Sequence, residues 1–161
     1  MPGSSRLPDL GPRGEGWFAI QLLLFAAIIG LAFVSVYWPE SAADELTVIG
    51  IITMVGGLVL FVLGLVSAGA ALSPFPRPRD EGTLVDRGVY RAVRHPLYGA
   101  ILLIALGWSL AESPLALLPT AALAVFLDLK ARREEAWLEE RYADYRGYSK
   151  RTPRRFVPWV Y

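Results

Sequence analysis

The sequence predicts an all-α, polytopic membrane protein. It has four transmembrane helices, the last two a short hairpin, and they lead into a cytosolic C-terminal helix and tail. Three observations carry this reading. The 161 residues are 54% hydrophobic and 19% charged, with a mean hydropathy of +0.41, whereas a soluble domain has about a quarter of its residues charged. The apolar residues are gathered into four runs. The 16 Lys and Arg all fall in alternate segments between those runs.

Residues 1–16 form an N-terminal tail. Trp17 to Trp38 is a charge-free run of 22 residues with Trp17, Tyr37 and Trp38 at its ends. Its length suits about 30 Å of hydrocarbon, and its aromatic ends suit the membrane interface. Arg6 and Arg13 before it and Ser41-Ala42-Ala43 after it would also suit a cleaved signal peptide. The run exceeds the usual apolar core of such a peptide, which favours a retained span. Leu46 to Leu72 is a second uncharged run, of 27 residues, which must tilt or fray to fit. It is rich in glycine. Gly64 and Ala68 form a small-xxx-small pair, which reads either as a close helix contact or as ordinary transmembrane glycine content.

A polar segment follows at 73–96. It is Pro-rich over 73–81 and then strand-like or turn-like from Leu84 to Arg91. The third and fourth spans are read at 97–111 and 114–130. Glu112-Ser113-Pro114 is a tight turn between them, with Pro114 at a helix start. These apolar runs are short, so a re-entrant hairpin is the alternative to two full spans. Pro119 is expected to kink the fourth helix. From Asp128 to Tyr142 the sequence is rich in helix formers and lacks Gly and Pro. Ala131, Glu135, Leu138 and Tyr142 share one face of that helix, which sets Glu135 on an apolar stripe where a carboxylate needs a partner. The alternative is a solvated helix of Arg/Glu pairs. Tyr145 to Tyr148 is expected to end the helix. Residues 151–159 then read as an extended, basic, aromatic segment that either lies on anionic headgroups or folds back over a site.

Charge sets the orientation. The N-terminal tail carries two Lys/Arg, the 73–96 loop five and the segment after the fourth run nine, while Glu40, Asp44, Glu45 and Glu112 occupy the other loops. By the positive-inside rule both termini are cytoplasmic, and a plasma (inner) membrane location is expected. The net charge of +1 is thus the sum of +5 inside and −4 outside. With no Cys and one His, thiolate chemistry, Cys-ligated clusters and multi-His metal sites are excluded, and a haem is disfavoured. No metal and no nucleic-acid partner is expected.

The motifs lie at the inner interface. Gly88-Val89-Tyr90-Arg91 leads into Arg94-His95-Pro96-Leu97-Tyr98. Glu134-Glu135 follows on the fourth helix, then Tyr145 and Tyr148, Thr152-Pro153-Arg154, and Pro158 two residues after Phe156. With these residues the chain resembles the isoprenylcysteine carboxyl methyltransferase and phospholipid methyltransferase superfamily, small integral membrane enzymes that use S-adenosylmethionine. The resemblance covers residues 73–158. It implies that His95, Pro96, Tyr98, Glu134, Glu135 and Tyr90 surround the cofactor. It also implies a lipid-like or prenylated acceptor that enters from the bilayer. Tyr142-Ala143, where the family often has Phe-Gly, and Arg155 before Phe156 are departures.

Methyl transfer from a sulfonium needs no metal and no protein nucleophile. Alignment and exclusion of water supply most of the help. Tyr90, Tyr98 or Trp137 would face the sulfonium. The candidate catalytic residues are Arg94, His95 and Arg154. Arg94 or Arg154 would orient an acceptor carboxylate, whereas a phospholipid amine would need a base, His95 or a Glu. Two other readings stay open. One is a membrane reductase with a nicotinamide cofactor, since sterol reductases share a similar C-terminal architecture. The other is a membrane adaptor without catalysis, in which replacing the Glu pair is harmless.

Overall fold

The computed structural model describes residues 7–34, 36–71, 73, 75, 77 and 83–157. Among them are five α-helices and no strand: α1 (Glu15–Ala32), α2 (Glu40–Ala68), α3 (Pro96–Glu112), α4 (Leu117–Arg141) and α5 (Tyr145–Arg151). Three helical stretches are long and apolar enough to cross a membrane: Glu15–Ala32, Glu40–Ala68 and Pro114–Arg141. The 17-residue α3 is apolar but shorter.

Several boundaries differ from expectation. The first helix ends at Ala32, six residues before Trp38. Glu40, Asp44 and Glu45 belong to α2 and not to a loop. Pro39 precedes the helix and Glu40 sits in its first turn, where a carboxylate complements the partial positive charge of the helix end. At its other end α2 stops at Ala68 and not at Leu72, because the chain turns at Gly69 with φ +54°. Residues 84–87 carry no regular structure, and Gly88–Arg91 is a turn of 3₁₀ helix where a strand-like segment was one expectation. Gly88 has φ +58°, and a Cβ there would collide with Ser67. Pro119, expected to kink the fourth helix, falls near its N-terminal end. It lies in the first turn, where few intrahelical bonds depend on its missing N–H. Tyr145–Arg151 does not merely terminate α4 but forms α5, entered through Tyr142 and Asp144. Most of the Pro-rich stretch, Arg6, and the tail from Pro158 onward lie outside the described residues.

α2 packs on α3, α3 on α4, and α4 on α1. The α2–α3 seam is built from glycine. Gly50, Gly57 and Gly64, spaced by seven, are the buried glycines of α2. A Cβ on Gly50 would stand 2.5 Å from the Gly107 carbonyl, and one on Gly107 would stand 2.5 Å from the Gly50 carbonyl. Gly57 meets Ala100 and Ile104, and Gly64 meets Leu97. Small residues here let the backbones touch. Gly56 faces open space, and Ile52, Val55, Val59 and Val66 are exposed, an outer surface suited to lipid rather than water. On α1, Trp17, Gln21, Ile28 and Ala32 are buried. Trp17 packs on Phe126 of α4 at 5.6 Å, and Lys130 Nζ donates to Gln21 Oε1 at 2.6 Å.

The turn between α3 and α4 runs through Ser113. Its hydroxyl accepts from Leu115 N and donates to the Val36 carbonyl at 2.7 Å. Ser109 and Thr120 share a buried hydrogen bond just beyond it. The bundle therefore has two distinct ends. Val36, Gly50, Gly107 and Ser113 gather at one. Ser67, Val89 and Leu97 gather at the other, with Gln21 against Lys130 and Asp9 paired with Arg133. The residues singled out from sequence lie at the second.

Candidate functional site

Three pieces of chain meet at this second end. Arg94 and His95 enter α3, with His95 at the N-cap and Pro96 at the first helical position. Proline suits that position because its fixed φ is helical and its missing N–H has no intrahelical partner there. Glu134 and Glu135 come from α4, and the segment after α5 folds back to complete the site. The backbone N–H groups of Arg94 and His95 donate to the carbonyls of Arg154 and Arg155 at 2.9 and 2.8 Å. Of the two expectations for residues 151–159, the described part through Val157 follows the fold-back.

Gly99 makes this approach possible. A Cβ there would stand 2.6 Å from the Phe156 carbonyl oxygen. The Phe156 ring then sits edge-on to both His95 and Tyr98, at 6.1 and 6.2 Å, while His95 and Tyr98 stack in parallel at 5.2 Å.

The two adjacent glutamates have different surroundings. Glu135 is enclosed. Arg94 Nε donates to its Oε1 at 2.8 Å, Arg155 Nη2 donates to its Oε2 at 2.9 Å, and His95 Nε2 stands 3.1 Å from Oε1. Arg155 reaches on to Asp128 Oδ1 at 3.2 Å, and Arg94 Nη1 donates to the Thr152 carbonyl at 2.7 Å. A carboxylate on the apolar stripe thus has its partners, as burying a charge requires. Glu134 faces a cleft instead. Tyr98 donates to its Oε2 at 2.6 Å, and His95 Nδ1 lies 3.8 Å from the same oxygen. His95 stands between the two carboxylates.

The cleft encloses about 130 Å³ and opens to the outside at its mouth. Its polar wall holds Arg94, His95, Tyr98 and Glu134, and its aromatic floor holds Tyr90, Tyr142, Tyr145 and Tyr148. Ala68, Ala71 and Leu97 line the part nearest α2. Burial raises the Tyr90, Tyr145 and Tyr148 hydroxyls above their ordinary range, with nearby Glu134 adding to the effect at Tyr90 and Glu135 at Tyr145. These phenols are therefore neutral at physiological pH.

Of the residues singled out from sequence, Tyr90, Arg94, His95, Tyr98 and Glu134 line the cleft together. Pro96 is buried at the start of α3, Glu135 lies behind the wall, and Arg154 joins through its backbone carbonyl. Trp137 stacks under Arg133 at 4.2 Å instead of facing the cleft. Sequence reasoning noted Arg155 only as an extra basic residue and gave no role to Asp128, Thr152, Gly99 or Tyr145. For Gly99 the signal was a glycine in the first turn of a helix. For Arg155 no local signal existed, since its partners come from α4.

The family model described as phospholipid methyltransferase matches residues 46–145, which include α2 from Leu46 onward, α3, α4 and every cleft residue named above except Tyr148. The Delta(14)-sterol reductase of Mus musculus is 35% identical over 96 residues, covering 57% of this chain and 23% of the reductase. The cobalt-zinc-cadmium resistance protein CzcN of Cupriavidus metallidurans is 38% identical over 80 residues, covering 48% of this chain and 37% of CzcN. The chain thus spans well under half the length of either relative.

Proposed function

Because the chain belongs to the phospholipid methyltransferase family, we propose that it is an integral membrane methyltransferase using S-adenosylmethionine. Its acceptor would be a lipid-like molecule reached at the cytosolic interface. The observation that carries this reading is Glu134. It is a carboxylate held by Tyr98, open to a cleft walled by tyrosines, within the segment that the family model matches.

The residues suit the cofactor. Its ammonium or ribose hydroxyls would meet Glu134, and its sulfonium would meet an aromatic face of Tyr90 or Tyr98. When bound, S-adenosylmethionine supplies an electrophilic methyl group. The chain's part is then to align and to exclude water. Phe156 and the fold-back segment cover the His95–Tyr98 stack from one side, and α4 closes the other. Glu135 acts from behind, holding Arg94, His95 and Arg155 so that the wall keeps its shape.

Two acceptor chemistries fit this family. A carboxylate is already anionic, needs only orientation, and would be met by Arg94 or Arg154. A phospholipid amine must lose a proton, and His95, between Glu134 and Glu135, would take it. A prenylated or isoprenoid carboxylate belongs to the first class. The apolar edge of Ala68, Ala71 and Leu97 favours entry from the bilayer. We further read α3 as a fourth span, with both termini cytoplasmic in an inner (plasma) membrane and the basic segments among anionic lipids.

A second reading is favoured by one comparison. The similarity to a Delta(14)-sterol reductase makes a nicotinamide cofactor the competing occupant of the cleft. Calorimetric titration of the detergent-purified protein with S-adenosylhomocysteine and, separately, NADPH tests both. Binding of the first alone supports methyl transfer. Binding of NADPH alone overturns it.

A further inference from the structure

Lys130 is the most deeply buried charged side chain among the described residues, at 2% exposure. It does not line the cleft. Its ammonium donates to Gln21 Oε1 at 2.6 Å, and among the described residues no carboxylate pairs with it. Glu134 stands four residues on along α4, a spacing that suits an ion pair, yet Glu134 bonds Tyr98 and not Lys130. Enclosing an ammonium without a carboxylate is costly. A methionine of similar length would fill the space without that cost.

The surroundings indicate what the charge acts on. Lys130 Nζ stands over the Tyr98 ring, 5.2 Å from its centroid, and a cation is attracted to the negative face of such a ring. Tyr98 is the residue whose hydroxyl holds Glu134 Oε2 at 2.6 Å. His95 and Phe156 also meet this ring, one stacked and one edge-on. Lys130 differs from them in its anchor. Through Gln21 it is tied to α1, a helix that precedes the segment matched by the family model and lends no residue to the cleft lining.

We propose that Lys130 is a positioning residue. Pinned by Gln21, its ammonium fixes the tilt of the Tyr98 ring, and the ring in turn aims the hydroxyl that holds Glu134 toward the ligand. The nearby charge also polarises the phenol, which strengthens its donation to the carboxylate. This rests on the reading of Glu134 as the carboxylate that meets S-adenosylmethionine, and deepens it. α1 thus supports the site from behind, through Gln21, Lys130 and Tyr98 in turn.

The test is a double-mutant cycle on the full chain in detergent. Wild type, Lys130→Met, Tyr98→Phe and the double variant are titrated with S-adenosylhomocysteine and melted without ligand. Tyr98→Phe keeps the ring and removes the hydroxyl. With Tyr98 present, Lys130→Met should weaken S-adenosylhomocysteine about fivefold, the size of one hydrogen bond. In Tyr98→Phe the same change should cost less than about twofold, because no bond is left to aim. The shift in melting temperature caused by Lys130→Met should likewise differ between the two backgrounds. Gln21→Met releases the ammonium from α1 and should follow the same pattern. It takes the place of Lys130→Met if that variant does not fold. A charge needed only for packing would weaken binding by the same factor in both backgrounds. That result, or unchanged affinity with Tyr98 present, overturns the proposal. Absence of S-adenosylhomocysteine binding in wild type overturns the cofactor reading beneath it. The melting cycle then decides the role of Lys130, and equal shifts in the two backgrounds overturn it.

Discussion

Tyr98 of α3 donates a 2.6 Å hydrogen bond to Glu134 of α4, and this bond fastens the first turn of one helix to the fourth helix across the cleft wall. It also consumes one acceptor site on Glu134 and fixes where its other oxygen stands. Tyr98→Phe should therefore leave the fold intact and weaken S-adenosylhomocysteine binding by roughly 1 kcal/mol, about fivefold, the value of one hydrogen bond. Glu134→Gln keeps the shape and removes the charge, and should cost more, on the order of 2 kcal/mol. Calorimetry on the two variants checks the order. Wild-type affinity in Glu134→Gln would remove Glu134 from the binding site.

Glu135 is expected to behave in the opposite way. Its carboxylate balances Arg94 and Arg155, whose side chains are 9% and 20% exposed. Removing one partner of a buried pair leaves the others uncompensated, at a cost of about 3–5 kcal/mol. Glu135→Ala should lower the melting temperature in detergent sharply, and any loss of ligand binding should follow from that loss of structure. Glu134→Ala loses the Tyr98 bond but strands no buried charge, so its melting temperature should fall by less. Equal melting of the two alanine variants would show that the two glutamates are interchangeable, against the geometry.

Much of this was legible from sequence, because its causes are local. The apolar runs, Pro96 at a helix start, the Ser113-Pro114 turn and the stripe of Ala131, Glu135 and Leu138 follow from hydrophobicity and backbone stereochemistry within a few residues, whereas Tyr142, expected on that stripe, lies just past the helix in extended backbone. The division of labour between Glu134 and Glu135 was not legible. It depends on Arg155, which reaches back to Glu135 only after the chain turns through α5. The pairing of Gly50 with Gly107 was likewise hidden, since a glycine in a span reads the same whether it faces a helix or lipid. The ends of α1 and α2 were misread because an uncharged run need not be one helix, and because acidic residues can begin a helix as readily as fill a loop.

Alkaline pH gives a third test. Burial raises the phenols of Tyr90, Tyr145 and Tyr148 in the fold above the ordinary value of 10.0. Where the unfolded chain has lost these protons and the fold retains them, stability falls as pH rises. Their contribution is fully present below pH 10 and declines above it. Melting curves should therefore be insensitive to these groups from neutrality to about pH 9 and shift downward beyond about pH 10. Tyr90→Phe should flatten that decline. A decline equally steep in the variant would mean that Tyr90 titrates like a free phenol.

The α2–α3 seam sets the apolar edge of the cleft, where Ala68 and Leu97 lie. Gly107 lies against the α2 backbone, with any Cβ 2.5 Å from the Gly50 carbonyl and 2.7 Å from Met54 N. These are backbone atoms of a packed helix, so they cannot swing aside. Gly107→Ala should push α2 from α3 and destabilise the bundle by about 1–3 kcal/mol, the usual cost of overpacking. Gly56, one helix face away, has nothing within 4 Å of a built Cβ. Gly56→Ala should be neutral or slightly stabilising, because alanine is the better helix former. The displacement should also reach the cleft, since Ala68 and Leu97 line it from the far end of the same two helices. Gly107→Ala should thus lower both the melting temperature and ligand affinity, and Gly56→Ala neither. If Gly107→Ala melts as wild type does, α2 and α3 do not touch at this register.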